Sequence, residues 1–128
     1  MTENEIGRHV VDAAVELHRE LGPGLLESVY ESVLARLLVE RGVEVERQVP
    51  IPVAFRDMRF EEGFRADIIA GRQVILELKS VETITRAHQK QLLTYLRLTG
   101  LKLGFVLNFG EELMKNGIKR IINGELSS

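Results

Sequence analysis

Apolar residues recur at Ile6, Val10, Ala13, Leu17 and Leu21. Steps of three and four predict an amphipathic helix. Gly22-Pro23-Gly24 should stop it, since glycine suits a left-handed cap and proline cannot continue a helix. A second helix is expected over 27–41, with Tyr30, Val33, Leu34, Leu37 and Leu38 on its apolar face and Gly42 at its end. Glu27 falls in its first turn, where a negative charge suits the helix dipole. From Val43 the period changes to two. Val43, Val45, Val49, Ile51, Val53 and Phe55 read as a half-buried strand. Pro50 and Pro52 mark an edge or a bend, because neither can donate to a ladder. Residues 56–63 are polar and read as a turn. Two strands, 64–70 and 74–79, follow around Gly71-Arg72-Gln73. A third helix is expected over 85–99 with Gly100 as its stop, then a short buried strand at 103–108 and another at 118–122. Helix, helix, strands, helix, strand is the order of an α/β (α+β) fold with helices covering a central sheet.

Side chains alternate faces along a strand. In 74–79, Val74, Leu76 and Leu78 share one face, and Ile75, Glu77 and Lys79 the other. In 64–70, Phe64, Ala66, Ile68 and Ala70 share one face, and Arg65, Asp67 and Ile69 the other. Register is set where one face must be buried, so the apolar faces should align. That selects the three-residue loop, and Asp67 then faces Glu77 at about 5 Å between Cβ atoms. Like charges so placed destabilise a sheet, more so when buried. Lys79 could offset them, and so could a divalent cation; oxygen ligands favour Mg²⁺ or Mn²⁺. A solvated strand face bearing a Glu–Lys pair is the plainer alternative. The apolar runs Val74-Ile75-Leu76 and Ile68-Ile69 argue against it, because they suggest strands covered on both faces.

Composition narrows the choice. At 128 residues the chain fits one domain, 1–128. It has no cysteine, hence no disulfide framework and no thiolate metal site. No apolar run approaches the ~20 residues of a membrane span. The polar, acidic start is not that of a secretory signal, so a cytoplasmic location and no membrane partner are expected. The net charge of −2 excludes a passive, strongly basic nucleic-acid coat. It leaves room for an enzyme whose carboxylates serve a metal.

An Asp on one strand, Glu-x-Lys on the next and a helix after them resemble the PD-(D/E)xK nuclease superfamily. Further segments resemble one branch of it, the GxxExxY protein family. These are Gly24-Leu25-Leu26-Glu27-Ser28-Val29-Tyr30 with its approach His18-Arg19-Glu20-Leu21-Gly22-Pro23, Arg65-Ala66-Asp67, and Glu77-Leu78-Lys79-Ser80. Gln91-Leu92-Leu93-Thr94-Tyr95-Leu96 and Leu107-Asn108-Phe109-Gly110 complete the ordered set, which spans 6–122. The resemblance implies a restriction-endonuclease-like core, a central mixed sheet flanked by helices. It implies Mg²⁺ or Mn²⁺ bound by Asp67 and Glu77, with Glu27 as an added helical ligand and Lys79 beside the attacking water. Gln91 and Tyr95 match polar positions on the following helix, and Ala66 stands where the superfamily's name has proline. The implied activity is metal-dependent hydrolysis of DNA or RNA. A homodimer fits a small nuclease that must cut both strands of a duplex.

Other polar residues have two readings each. Gln91, Tyr95 and His88 share one helical face, as a stripe touching substrate or as packed polar tips. His18 either approaches the site or helps cap its helix, and the structural role is the more economical. Arg86, Lys90, Arg97, Lys102, Lys115, Lys119 and Arg120 could form a basic rim, although scattered surface charge is commoner. Two rival functions are a catalytically silent binding or regulatory module and a hydrolase of small phosphoesters.

Overall fold

The computed structural model describes residues 1–126. Its elements are α1 (Glu3–Leu21), α2 (Glu27–Glu40), β1 (Val45–Phe55), β2 (Met58–Ala70), β3 (Val74–Lys79), α3 (Arg86–Thr99), β4 (Leu103–Asn108), a 3-10 turn (Met114–Asn116) and β5 (Ile118–Ile122). The strands form one sheet in the order β1-β2-β3-β4-β5. β3 and β4 are parallel, joined through α3, and the other neighbours are antiparallel. This is the mixed sheet with flanking helices that the sequence implied. No helix among the described residues is long and apolar enough to cross a membrane.

Two apolar layers sandwich the sheet. One buries Ile6, Val10, Leu17, Leu34 and Leu38 of α1 and α2 against Ile68, Leu76, Leu78 and Phe105. The other buries Leu92 and Leu96 of α3 against Ala66, Ile69, Ile75 and Val106. β3 is covered on both sides, which is why it reads as a near-continuous apolar run.

The structure departs from the sequence reading in three places. The turn expected over 56–63 is only Arg56-Asp57, and β2 starts at Met58. Residues 58–63 are exposed throughout, so this part of the hairpin has no buried face and shows no alternation. β1 starts at Val45 rather than Val43; it is an edge strand, and its register shifts between Ile51 and Val53, around Pro52. Third, Ala66 and Ile68 do not share a face. Ala66 lies in the α3 layer and Ile68 in the α1/α2 layer. β1 reverses in the same place: Val45 packs with the α1/α2 layer, Val49 and Ile51 with the α3 layer. Between them Gln48 has φ 50°, a left-handed conformation uncommon outside glycine. Both strands therefore turn over at the rung containing Gln48 and Asp67.

The α1–α2 loop is stapled by Tyr30. Its hydroxyl donates to the Gly22 carbonyl (2.6 Å) and accepts from the Leu25 N–H (3.1 Å). Its fully buried ring stacks on Phe109 at 4.5 Å. Gly24 in this loop has φ 101°, a region that side chains disfavour. Ser80 donates to the Leu25 carbonyl (3.1 Å), tying the start of α2 to the end of β3. Tyr30→Phe keeps the stacking and leaves the Leu25 N–H and Gly22 carbonyl without this partner. It should cost about 1–3 kcal/mol in urea unfolding, and an unchanged midpoint would show that the hydroxyl does not hold the loop.

Candidate active site

β2 and β3 pair only through Ala70–Val74, Ile69–Ile75 and Ile68–Leu76. This is the register the three-residue loop requires. The next rung would set Asp67 against Glu77, but no pairing continues there. Instead Asp67 Oδ2 accepts the Leu78 N–H at 2.8 Å. The expectation of a direct cross-strand pair is corrected accordingly: the register holds, while the Asp67 side chain takes the place of a ladder carbonyl. Repulsion between two facing carboxylates favours such an opening. On its other side β3 pairs with β4 to the end, Glu77 with Val106 and Lys79 with Asn108.

Glu77 is 7% exposed. Burial, and then the charge of Asp67, push its carboxyl up to about 8. Its Oε1 is buried with no hydrogen-bond partner. Burial also raises Asp67; the Leu78 N–H opposes the shift, while the charges of Glu31 and Glu27 add to it. Lys79 is close enough to draw both carboxyls down. The structure thus brings Asp67, Glu77 and Lys79 together.

A cavity of about 360 Å³ opens beside Asp67 and Leu78 on the α2 side. α2 contributes Glu27, Ser28 and Glu31, and β1 contributes Arg47 and Gln48. Glu27 is exposed, and Glu31 is buried one helical turn further on. Arg47 donates to Glu31 Oε2 from Nε (3.0 Å) and Nη2 (2.9 Å), and Gln48 donates to Oε1 at 2.6 Å. The sequence reading singled out none of these three residues. The four-residue step from Glu27 to Glu31 was available as a signal. The reversal that turns Arg47 and Gln48 towards one carboxylate was not.

On the α3 side, the Tyr95 ring stacks on Phe64 at 3.7 Å. Its hydroxyl pKa is raised by burial and then by the charges of Glu77 and Asp67, and Gln91 draws it down. Tyr95 therefore adjoins the acid pair, with Gln91 beside it on the same face of α3. His88 caps the helix instead: its Nδ1 accepts from Thr85 N–H (3.1 Å) in a capping box that starts α3. His18 Nε2 is bonded to the Glu111 carbonyl at 2.8 Å. Of the basic residues, Arg86 and Lys90 border one depression and Lys115 another. The cavity at Lys115 is larger, about 570 Å³, but the acid pair does not line it. Chemistry, rather than volume, points to the cleft at Asp67.

Asn108, which the sequence reading placed only within the Leu107-Asn108-Phe109-Gly110 segment, supports the two loops that follow β3 and β4. Fully buried, its Oδ1 accepts from Val81 N–H and Gly110 N–H, both at 3.0 Å. It thereby ties together the loops after β3 and β4. Gly110 is required there, since a Cβ would lie 2.2 Å from the Val81 carbonyl oxygen.

Do these residues suit a cation? Among the described residues no three His, Asp or Glu side chains converge as a ready-made metal site. Two do, and one of their oxygens is buried and unpartnered. Mg²⁺ is commonly held by one or two carboxylates with water and substrate phosphate completing the shell. The donor set fits that description, and Glu27 is free to approach from the exposed first turn of α2.

The sequence matches the family model of the PD-(D/E)XK nuclease superfamily over residues 4–121. The chain belongs to the PD-(D/E)XK nuclease superfamily, which supports a nuclease-type phosphodiester hydrolase in general terms. Comparison with curated proteins finds no match.

A carboxyl whose folded pKa is raised contributes stability below its unfolded value and loses it as pH rises through the folded one. For Glu77 that window runs from 4.5 to about 8. In chelator, the Glu77→Gln variant should therefore gain in Tm over the parent as pH rises across this window. Melting curves that stay parallel from pH 5 to 9 would contradict the assignment.

Proposed function

We propose that the chain is a metal-dependent nuclease hydrolysing phosphodiesters of DNA or RNA, with Asp67, Glu77 and Lys79 at its reaction centre. The observation that carries this reading is the buried, unpartnered oxygen of Glu77 beside Asp67, with Lys79 near both. Asp67 and Glu77 would hold Mg²⁺ or Mn²⁺, with Glu27 completing the set. Such a cation polarises a phosphoryl oxygen and lowers the pKa of a bound water. The Leu78 N–H fixes one oxygen of Asp67 and leaves the other for this work. The Lys79 ammonium orients the attacking water and stabilises negative charge developing at phosphorus. As water adds, the bond from phosphorus to the leaving sugar oxygen breaks. Gln91 and Tyr95 border the centre from α3 and position the backbone. The motif Gly24-x-x-Glu27-x-x-Tyr30 supports the GxxExxY branch: its glycine shapes the loop, its tyrosine staples it, and its glutamate lines the cleft.

One observation favours a catalytically silent module, the absence of three convergent ligands among the described residues. A single assay separates the readings. The protein is incubated with single- and double-stranded DNA and RNA, with Mg²⁺, Mn²⁺ or chelator. Cleavage is expected with metal and not with chelator. Lys79→Ala should lower the rate by at least about 10²-fold with an unchanged melting profile, and Glu27→Gln should raise the metal concentration required. Full activity of Lys79→Ala would remove Lys79 from the mechanism.

A further inference from the structure

Three of the side chains lining the Asp67 cavity, Glu27, Glu31 and Asp67, are acidic, and Arg47 is the one cation among them. A phosphate polyanion entering such a cleft needs a donor that holds it against this charge. Arg47 is built for more than neutralising its neighbour. Its guanidinium is locked by Nε and Nη2 on Glu31, whose side chain is 9% exposed, and Nη2 also donates to Ser32 Oγ (3.0 Å). Nη1 makes no hydrogen bond among the described residues, and the Arg47 side chain remains 44% exposed. A planar fork held on one edge and open on the other suits a phosphate oxygen.

The backbone is bent to achieve this. Neighbouring strand residues ordinarily face opposite ways. Here Arg47 and Gln48 grip the same carboxylate, which requires the left-handed φ of Gln48. Arg65 Nη1 donates to the Gln48 carbonyl at 3.3 Å and supports that turn. Strain of this kind gathers at functional sites. Replacing a buried ion pair by apolar residues is often neutral or stabilising, so satisfying Glu31 does not by itself explain the arrangement.

We propose that Arg47 contacts a backbone phosphate of the substrate next to the scissile one, and that Glu31 is its positioning residue. This rests on the nuclease reading of the cleft. Glu31 gives the guanidinium its direction and, in doing so, masks part of its charge. The two residues should therefore behave oppositely. Removing Glu31 strengthens attraction for phosphate but loosens aim; removing Arg47 loses the contact and exposes Glu31.

The test is fluorescence anisotropy with labelled single- and double-stranded DNA and RNA. It is run with Mg²⁺ in the Lys79→Ala background and in parallel with chelator. Arg47→Ala should weaken binding about tenfold or more. Glu31→Gln should bind at least as tightly as the parent, and in an otherwise unaltered protein should lower kcat without raising KM. The deciding comparison is Arg47→Ala within Glu31→Gln, where no buried carboxylate is left unpaired and folding is preserved. There the loss of Arg47 should still weaken binding and reduce the salt slope of log Kd by about one. If Arg47→Ala has no effect in that background, Arg47 only neutralises Glu31 and the proposal falls. It falls equally if no nucleic acid binds. Cleavage retained by Lys79→Ala, with Arg47 still governing affinity, would instead overturn the catalytic assignment and leave the phosphate contact standing.

Discussion

The hydrogen bond from the Leu78 N–H to the Asp67 carboxylate sets the terms for the rest of the site. It replaces a rung of the β2–β3 ladder at the place where two carboxylates would otherwise face each other. The strands open by one position, Asp67 is held by its tip, and Glu77 remains on a fully paired β3–β4 edge. Burial and mutual repulsion then disfavour two negative charges here. A proton on Glu77 relieves the conflict in part, yet Oε1 stays without a partner. A divalent cation would relieve the whole of it, because it meets the charge and the vacant lone pairs together.

The surrounding elements converge on this point for separate physical reasons. Tyr30 and Ser80 fasten the α1–α2 loop, so Glu27 and Glu31 arrive beside β3. Asn108 fastens the loops after β3 and β4, so the backbone around Lys79 is fixed. The reversal at Gln48 and Asp67 gives β1 two neighbouring side chains on one side of the sheet. α3 covers the opposite side, with Tyr95 stacked on Phe64. Its Thr85–His88 capping box starts the helix that carries Gln91 and Tyr95.

Much of the fold was legible where one face is buried. Apolar residues at helical spacing located α1 and α2, and the apolar runs Val74-Ile75-Leu76 and Ile68-Ile69 announced strands covered twice. The Gly71-Arg72-Gln73 loop and its register followed from aligning apolar faces, and the structure has that register. The solvated half of the hairpin was not legible, because residues 58–63 bury nothing and so carry no pattern. The strand reversal was hidden for a different reason. Alternation assumes a regular pleat, and neither Gln48 nor Asp67 is a residue type that declares a break. The site divides likewise. Asp67, Glu77 and Lys79 could be placed from spacing, and Glu27 came from family resemblance. Glu31, Arg47 and Asn108 depend on contacts across 16 or more residues, as Arg47–Glu31 does, and no local pattern encodes those.

The proposed cation seat of Asp67 and Glu77 is partly protonated when no cation is bound. Calorimetric titration of Mn²⁺ near pH 7, in two buffers of different ionisation enthalpy, measures this directly. Binding accompanied by proton release is expected, since Glu77 must shed the proton that a pKa of about 8 implies. Asp67→Asn should abolish the binding. Metal uptake with no proton release, or equal uptake by Asp67→Asn, would contradict it.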